Sequence, residues 1–129
     1  MAKTAGYIPL VKVVSLYTTP AMLVDSVRDL VVDLVGSNTS VATVQFVGSV
    51  SQDAPDFSLP ASESNRWDYI QMIDVKDGST INGSVGVVLT ADAVHILEAN
   101  VNVIRWFGII VSAYTSGQLD SSLSGYDNE

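Results

Sequence analysis

A chain of 129 residues, 47% of them hydrophobic, is long enough to form one domain around a core of its own. It contains no cysteine, which excludes disulfides, thiolate zinc sites and cysteine nucleophiles together. Fourteen acidic residues against six basic ones give a formal charge of −8, the wrong sign for nucleic acid, whose phosphates select Lys and Arg. The same charge keeps an apolar-rich chain dispersed and suits a basic surface as partner. The opening MAKTAGYIPLVKVV lacks the apolar core of a signal peptide, and no stretch reaches the roughly 18 uninterrupted apolar residues of a membrane helix. The expectation is a protein made in a cytoplasm, with neither nucleic acid nor membrane as partner.

In chain order, Tyr7–Tyr17 alternates loosely and reads as a strand, with Pro9 favouring an edge position. Thr19–Gly36 fits two patterns. As a helix it has Thr19 as N-cap, Pro20 at the first position, Leu23, Val27, Leu30 and Leu34 on one face, and Gly36 past the end. As a strand from residue 28 it turns Leu30, Val32 and Leu34 inward and Asp29, Val31 and Asp33 outward. The run of valines between 24 and 35 favours a strand over 28–35, with a helical turn near 20–26. Ser37–Ser40 is a polar interruption before the valine-rich run 41–50, so the two runs are expected to form an antiparallel hairpin. Ser51–Asn65, with Pro55, Pro60 and several serines and acids, reads as a surface loop of the length that carries binding or assembly. Residues 66–75 then read as one strong strand, with Trp67, Tyr69, Gln71 and Ile73 alternating with Asp68, Ile70, Met72 and Asp74.

Lys76-Asp77-Gly78-Ser79 is a tight turn of the Asp-Gly kind. Residues 80–89 give one or two short strands punctuated by Gly83 and Gly86, and 94–100 gives another. Val101–Gly117, VNVIRWFGIIVSAYTSG, is apolar at nearly every position, rich in β-branched and aromatic residues, and interrupted by Gly108, which would cost a helix about 1 kcal/mol. It predicts a central strand over 103–114, apolar on both faces. Ser116–Glu129 is polar and reads as a tail. The spacing of strands and turns is that of an antiparallel β-sandwich, jelly-roll-like, with at most one short helix. Three segments follow: an N-terminal strand or arm over 1–27, the sandwich over 28–118, and a flexible C-terminal tail over 119–129.

Little in the sequence points to catalysis. His95, the one histidine, lies in a strand pattern without a nucleophile motif and reads as structural or surface. Asp74, Asp77 and Asp92 lie near turns, but no D-x-D-x-D-G loop accompanies them, so they read as solvated turn residues. Asn38-Thr39-Ser40 and Asn82-Gly83-Ser84 match the glycosylation pattern and read as turns. Neither enzyme activity, a metal nor any other cofactor is expected. Trp67, Tyr69, Trp106 and Phe107 offer more aromatic area than a small sandwich readily covers. They are the candidate interface of a homo-oligomer, or, as the alternative and together with Tyr114, a stacking platform of a carbohydrate- or cell-surface-binding module.

The succession VQFVGSVSQDAPDFS, RWDYIQMIDVKDGS and RWFGIIVSAYTSG, within residues 28–118, resembles the small β-sandwich decoration or cement proteins of tailed-bacteriophage heads. The resemblance implies a virion structural protein, made in the host cytoplasm and seated as a homotrimer on the outer surface of the capsid. Its partner would be the major capsid protein, and its action would be to strengthen the shell. Such proteins often reach their neighbours with a terminal arm, which makes Ala2–Val14 the candidate arm, with Lys3, Tyr7, Ile8, Leu10 and Lys12 as its contacts.

Overall fold

The computed structural model describes residues 3–101 and 104–126, and their side chains apart from those of Lys3, Thr4, Ala5 and Asn100; every regular element among them is a strand. In order these are β1 (Lys3–Val13), β2 (Tyr17–Thr18), β3 (Met22–Leu23), β4 (Asp29–Ser49), β5 (Asp68–Tyr69), β6 (Met72–Asp74), β7 (Thr80–Ile81), β8 (Val87–Thr90), β9 (Ala93–Asn100) and β10 (Trp106–Tyr126). All are antiparallel in one hydrogen-bonded sheet of order β1-β10-β4-β9-β6-β7, with β2 and β3 also on β10, and β5 and β8 also on β4. The all-β antiparallel class expected from the sequence is the class found.

Two strands set the architecture. β4 and β10 are each 21 residues long, well beyond the roughly 5–6 of an ordinary strand. They pair along their whole length, from Ser49 against Trp106 to Asp29 against Tyr126. In β4 the inward set is Leu30, Val32 and Leu34, then Ala42, Val44 and Phe46, all buried and all at even positions. The period-2 pattern therefore holds on both sides of the polar residues 37–40.

At those residues the sheet folds. Asn38 and Thr39 both have φ 58°, and opposite them Gly117 has φ 88°. On the other flank of β4, β8 and β9 run on as one interrupted strand, Thr90 paired with Val41 and Ala93 with Gly36, and the residue after Thr90, Ala91, has φ 57°. On the far side of β10, Lys12 has φ 49° just before Val13 pairs with Leu119. Four neighbouring strands thus turn into the left-handed region along one line, a crease across the sheet.

Non-glycine residues in that region cost of order 1–3 kcal/mol each and persist only where their surroundings hold them. Here side chains replace the ladder bonds lost at the bend. The Ser40 hydroxyl donates to the Ala91 carbonyl at 2.6 Å and the Ser116 hydroxyl to the Thr39 carbonyl at 2.8 Å. The Thr39 N–H donates to Asp92 Oδ1 at 3.0 Å, and the Lys12 N–H to Asp120 Oδ1 at 3.0 Å.

The crease turns one sheet into a sandwich by letting its strands pass from one layer to the other through a bend. Leu10, Leu30, Leu34, Leu97, Leu119 and Leu123 come from one side of it. Met22, Val44, Phe46, Leu89, Phe107 and Ile109 come from the other, and all belong to one buried cluster.

Several sequence expectations change accordingly. The strand over 28–35 is present from Asp29, and the proposed helical turn near 20–26 is β3 followed by a turn. The hairpin of 28–35 with 41–50 is not formed. Both runs pair with the same long neighbour, β10, so the polar residues between them bend one strand instead of reversing it. The tail is also corrected. Leu119–Tyr126 completes β10, with Leu119, Ser121 and Leu123 buried. Ser121 fits the interior because its hydroxyl donates to the Asp33 carbonyl at 2.5 Å. Asp127–Glu129 lie outside the described residues. The strand read over 66–75 is broken at Ile70–Gln71, because β5 pairs with β4 whereas β6 pairs with β9 and β7. Residues 3–13 are a strand of the sheet, hydrogen-bonded to β10.

Candidate interaction surfaces

The aromatic residues gather where the Ser51–Asn65 loop folds back on the sheet. Asn65 organises that loop: its side-chain amide donates to the Asp56 carbonyl at 2.8 Å, and its Oδ1 accepts the Asp56 N–H at 2.8 Å. Phe57 is drawn inward over Gly108, where a Cβ would lie 2.4 Å from the Phe57 ring. Trp67 stands edge-on to Phe57, centroids 6.0 Å apart, and to Tyr69, 5.4 Å apart. Its indole N–H donates to the Leu59 carbonyl at 3.1 Å.

Trp106 is held in a similar way. Its indole N–H donates to the Ser51 carbonyl at 3.0 Å, and the Arg105 guanidinium lies 5.8 Å from its ring centroid. That guanidinium also pairs with Asp25 at 3.5 Å, an exposed contact of small energetic consequence. Of the four aromatics proposed as an interface, Phe107 is wholly buried in the core, Trp67 and Trp106 are half-buried under the loop, and Tyr69 is exposed. An apolar groove of about 330 Å³ runs past Trp67 between Val50, Ile70 and Ile104, with Gly48 in its lining.

Two further surfaces lie on β1 and on β9 beside the end of β6. At the β1 end, Ile8 is 71% exposed and Lys12 is exposed, whereas Tyr7 is half-buried with its hydroxyl donating to the Leu23 carbonyl at 3.0 Å. Leu10 faces into the core, and the Lys3 side chain lies outside the described part. Three exposed neighbours that the sequence reading passed over, Val11, Val14 and Leu16, extend this apolar edge. On β9 and just past β6, Val75, Val94 and Ile96 are exposed and line a groove of about 330 Å³ with Asp74, Lys76 and His95. The signal for it was in the sequence. Val94 and Ile96 share one parity and Leu97 and Ala99 the other, so both faces of β9 carry apolar residues.

The carboxylates do not converge. Asp74 accepts the Lys76 N–H at 3.0 Å, Asp77 the Ser79 N–H at 2.9 Å and Asp92 the Thr39 N–H. Asp74 and Asp77 each serve their own turn, Asp92 ties its turn to the bend of β4, and no group of three potential metal ligands occurs among the described residues. Asn82 likewise accepts from the Ser84 N–H and hydroxyl, at 2.9 and 2.7 Å. Hydrogen bonds from the Ser58 hydroxyl and N–H hold the Asp56 carboxyl below the usual carboxylate range, and those from Ser79 do the same for Asp77. Both stay ionised at neutral pH and add to the acidic surface.

Neither a protein-family model nor a curated protein matches the sequence. Among solved structures, the fold is similar to that of the SPBc2 prophage-derived protein YomS, with a TM-score of 0.70 and 14% identity over 97% of this chain and 94% of that one. It is also similar to the PBSX exported protein XepA, with a TM-score of 0.73 and 16% identity over 97% of this chain and 38% of that one. The chain therefore spans nearly all of the first protein and well under half of the second, and what it shares with both is their fold.

Proposed function

We propose that this protein is a structural component of a phage particle, one that binds the outer surface of a preformed capsid as a homo-oligomer and strengthens it without chemistry. The observation that carries this reading is the likeness of fold, over 97% of the chain, to two proteins described as prophage-derived or as belonging to PBSX. The surface chemistry supports it. A chain of net charge −8 suits an outer surface, because packaged DNA repels an acidic lining. Exposed apolar residues on β1, on β9 and along the Trp67 groove give contact area for neighbours and shell. Strengthening is mass action: a ligand that binds only the assembled shell raises its resistance to disruption.

Expanded shells lacking decoration provide the test. The protein is expected to sediment with them at a saturable stoichiometry, and its remaining in the supernatant would overturn the reading. One structural neighbour is an exported protein, which favours a second reading, a module that binds a carbohydrate or cell surface through the groove beside Trp67 and Tyr69. Binding on a glycan array that is lost in Trp67→Ala would put that reading ahead.

A further inference from the structure

We infer that β8 is an open edge of the sheet, through which two copies of this chain join about a two-fold axis into one continuous antiparallel sheet. The direction of its backbone groups follows from its neighbour. On β4 the Phe46 N–H donates to the Gly83 carbonyl at 3.3 Å and the Phe46 carbonyl accepts from the Ile70 N–H at 3.0 Å, so Phe46 turns both groups away from β10, toward the flank where β8 lies. Successive residues of a strand alternate in this respect, which gives Val44 and Ala42 the same direction. Their partners Val87 and Leu89 are then the residues of β8 hydrogen-bonded to β4. Val88 and Thr90 point their N–H and C=O groups the other way. The Ala91 carbonyl, which turns back to accept from the Ser40 hydroxyl on β4, keeps the same alternation. β8 pairs with β4 alone, and no described residue pairs with its outer side.

The edge at β1 is guarded and this one is not. In β1, Pro9 has no N–H to donate, the pairing register slips between Tyr7 and Leu10 and again between Leu10 and Val13, and Lys12 leaves the extended conformation. These are devices by which natural edges avoid pairing with one another. β8 has no proline, lysine or register shift, and its outward residues Val88 and Thr90 are exposed and suited to a strand. It lies in an uncharged run, residues 78–91, of a chain of net charge −8. A second copy is the occupant these features select. Two acidic chains repel least where neither carries a charge. A second β8 is also already extended and unpaired, so neither copy breaks a bond or orders a segment in order to pair. Centred on Leu89, the pairing sets Val88 of each copy opposite Thr90 of the other and forms about four ladder hydrogen bonds, after which no β8 edge is left open. This goes beyond the capsid reading, which needs an oligomer without locating its contact. Self-association is read on the isolated chain and shell binding on shells, so either fails without the other.

The test is sedimentation velocity on the full chain at up to roughly 100 µM, because a contact of this size is weak. The wild type is expected to form a dimer of twice 13.7 kDa. Val88→Pro removes an outward N–H and none of the bonds to β4. It is therefore expected to melt near the wild-type temperature and to associate roughly tenfold or more weakly. Val88→Lys and Thr90→Glu, both at exposed positions, keep every backbone group and so separate the contact from any cost of proline to the fold. Each alone is expected to weaken association by a similar factor. An equimolar mixture is expected to restore it, because the lysine of one copy then faces the glutamate of the other across the axis. A monomeric wild type, association unchanged in Val88→Pro, or a mixture no stronger than its components would each overturn the inference.

Discussion

Replacing Gly117 with valine is expected to cost the protein more than about 4 kcal/mol, enough to lower its melting temperature by roughly 15 °C. Gly117 has φ 88°, a region that β-branched residues avoid. A Cβ there would lie 2.3 Å from Ser40 Cα, and 2.7 Å from both the Ser40 nitrogen and the Ser37 carbonyl oxygen. These are backbone atoms of the facing strand at its bend, so no rotamer change relieves the overlap. Gly78 supplies the control. It has a similar φ of 75°, and a Cβ added there would meet nothing within 4 Å, so Gly78→Ala carries the conformational term alone, about 1 kcal/mol. Thermal melts by circular dichroism measure both. Equal losses for the two variants would mean that the crease is not a close approach of backbones.

The second large effect is expected at Phe107. Its side chain is wholly buried in the core cluster, so Phe107→Ala removes a filled volume and should cost about 3–5 kcal/mol. The loss is expected in the folding of the single chain, at every protein concentration, by denaturant titration. An oligomer-interface residue would behave differently, weakening association and leaving the monomer's stability nearly intact.

What the sequence disclosed and what it withheld differ in kind. The alternation of Leu30, Val32 and Leu34 with Asp29, Val31 and Asp33 identified the inward face of that run correctly. Alternation assigns a side chain to a face; it says nothing of which strand lies alongside. Ser37–Ser40 therefore looked like a hairpin turn, since Asn and Ser suit a reversal and a crease equally well. The distinction lay some eighty residues away, in a partner long enough to pair with both arms. The last part of β10 was hidden for another reason. Ser121 is a core residue by virtue of a hydrogen bond to the Asp33 carbonyl, and hydropathy does not register a satisfied hydroxyl.

The aromatic site was legible in composition and not in arrangement. Trp67, Tyr69, Trp106 and Phe107 all stand out in the sequence, but Phe107 falls on the inward parity of β10 and the two tryptophans are partly covered by a loop whose folding depends on Asn65. In the N-terminal segment the contacts were assigned to Ile8, Leu10 and Lys12 on one parity, whereas Leu10 faces the core and Val11, Val14 and Leu16 are exposed. That β1 lies at an edge was legible in Pro9, which lacks the N–H a central strand would need, and the sheet order agrees.

The proposed role rests on one claim, that this protein stabilises a shell to which it is bound. Particles prepared with and without it should be heated while the release of packaged DNA is followed by dye fluorescence, with occupancy of the shell measured in parallel. The decorated particles are expected to release their DNA at a distinctly higher temperature. Equal release temperatures at full occupancy would contradict the claim.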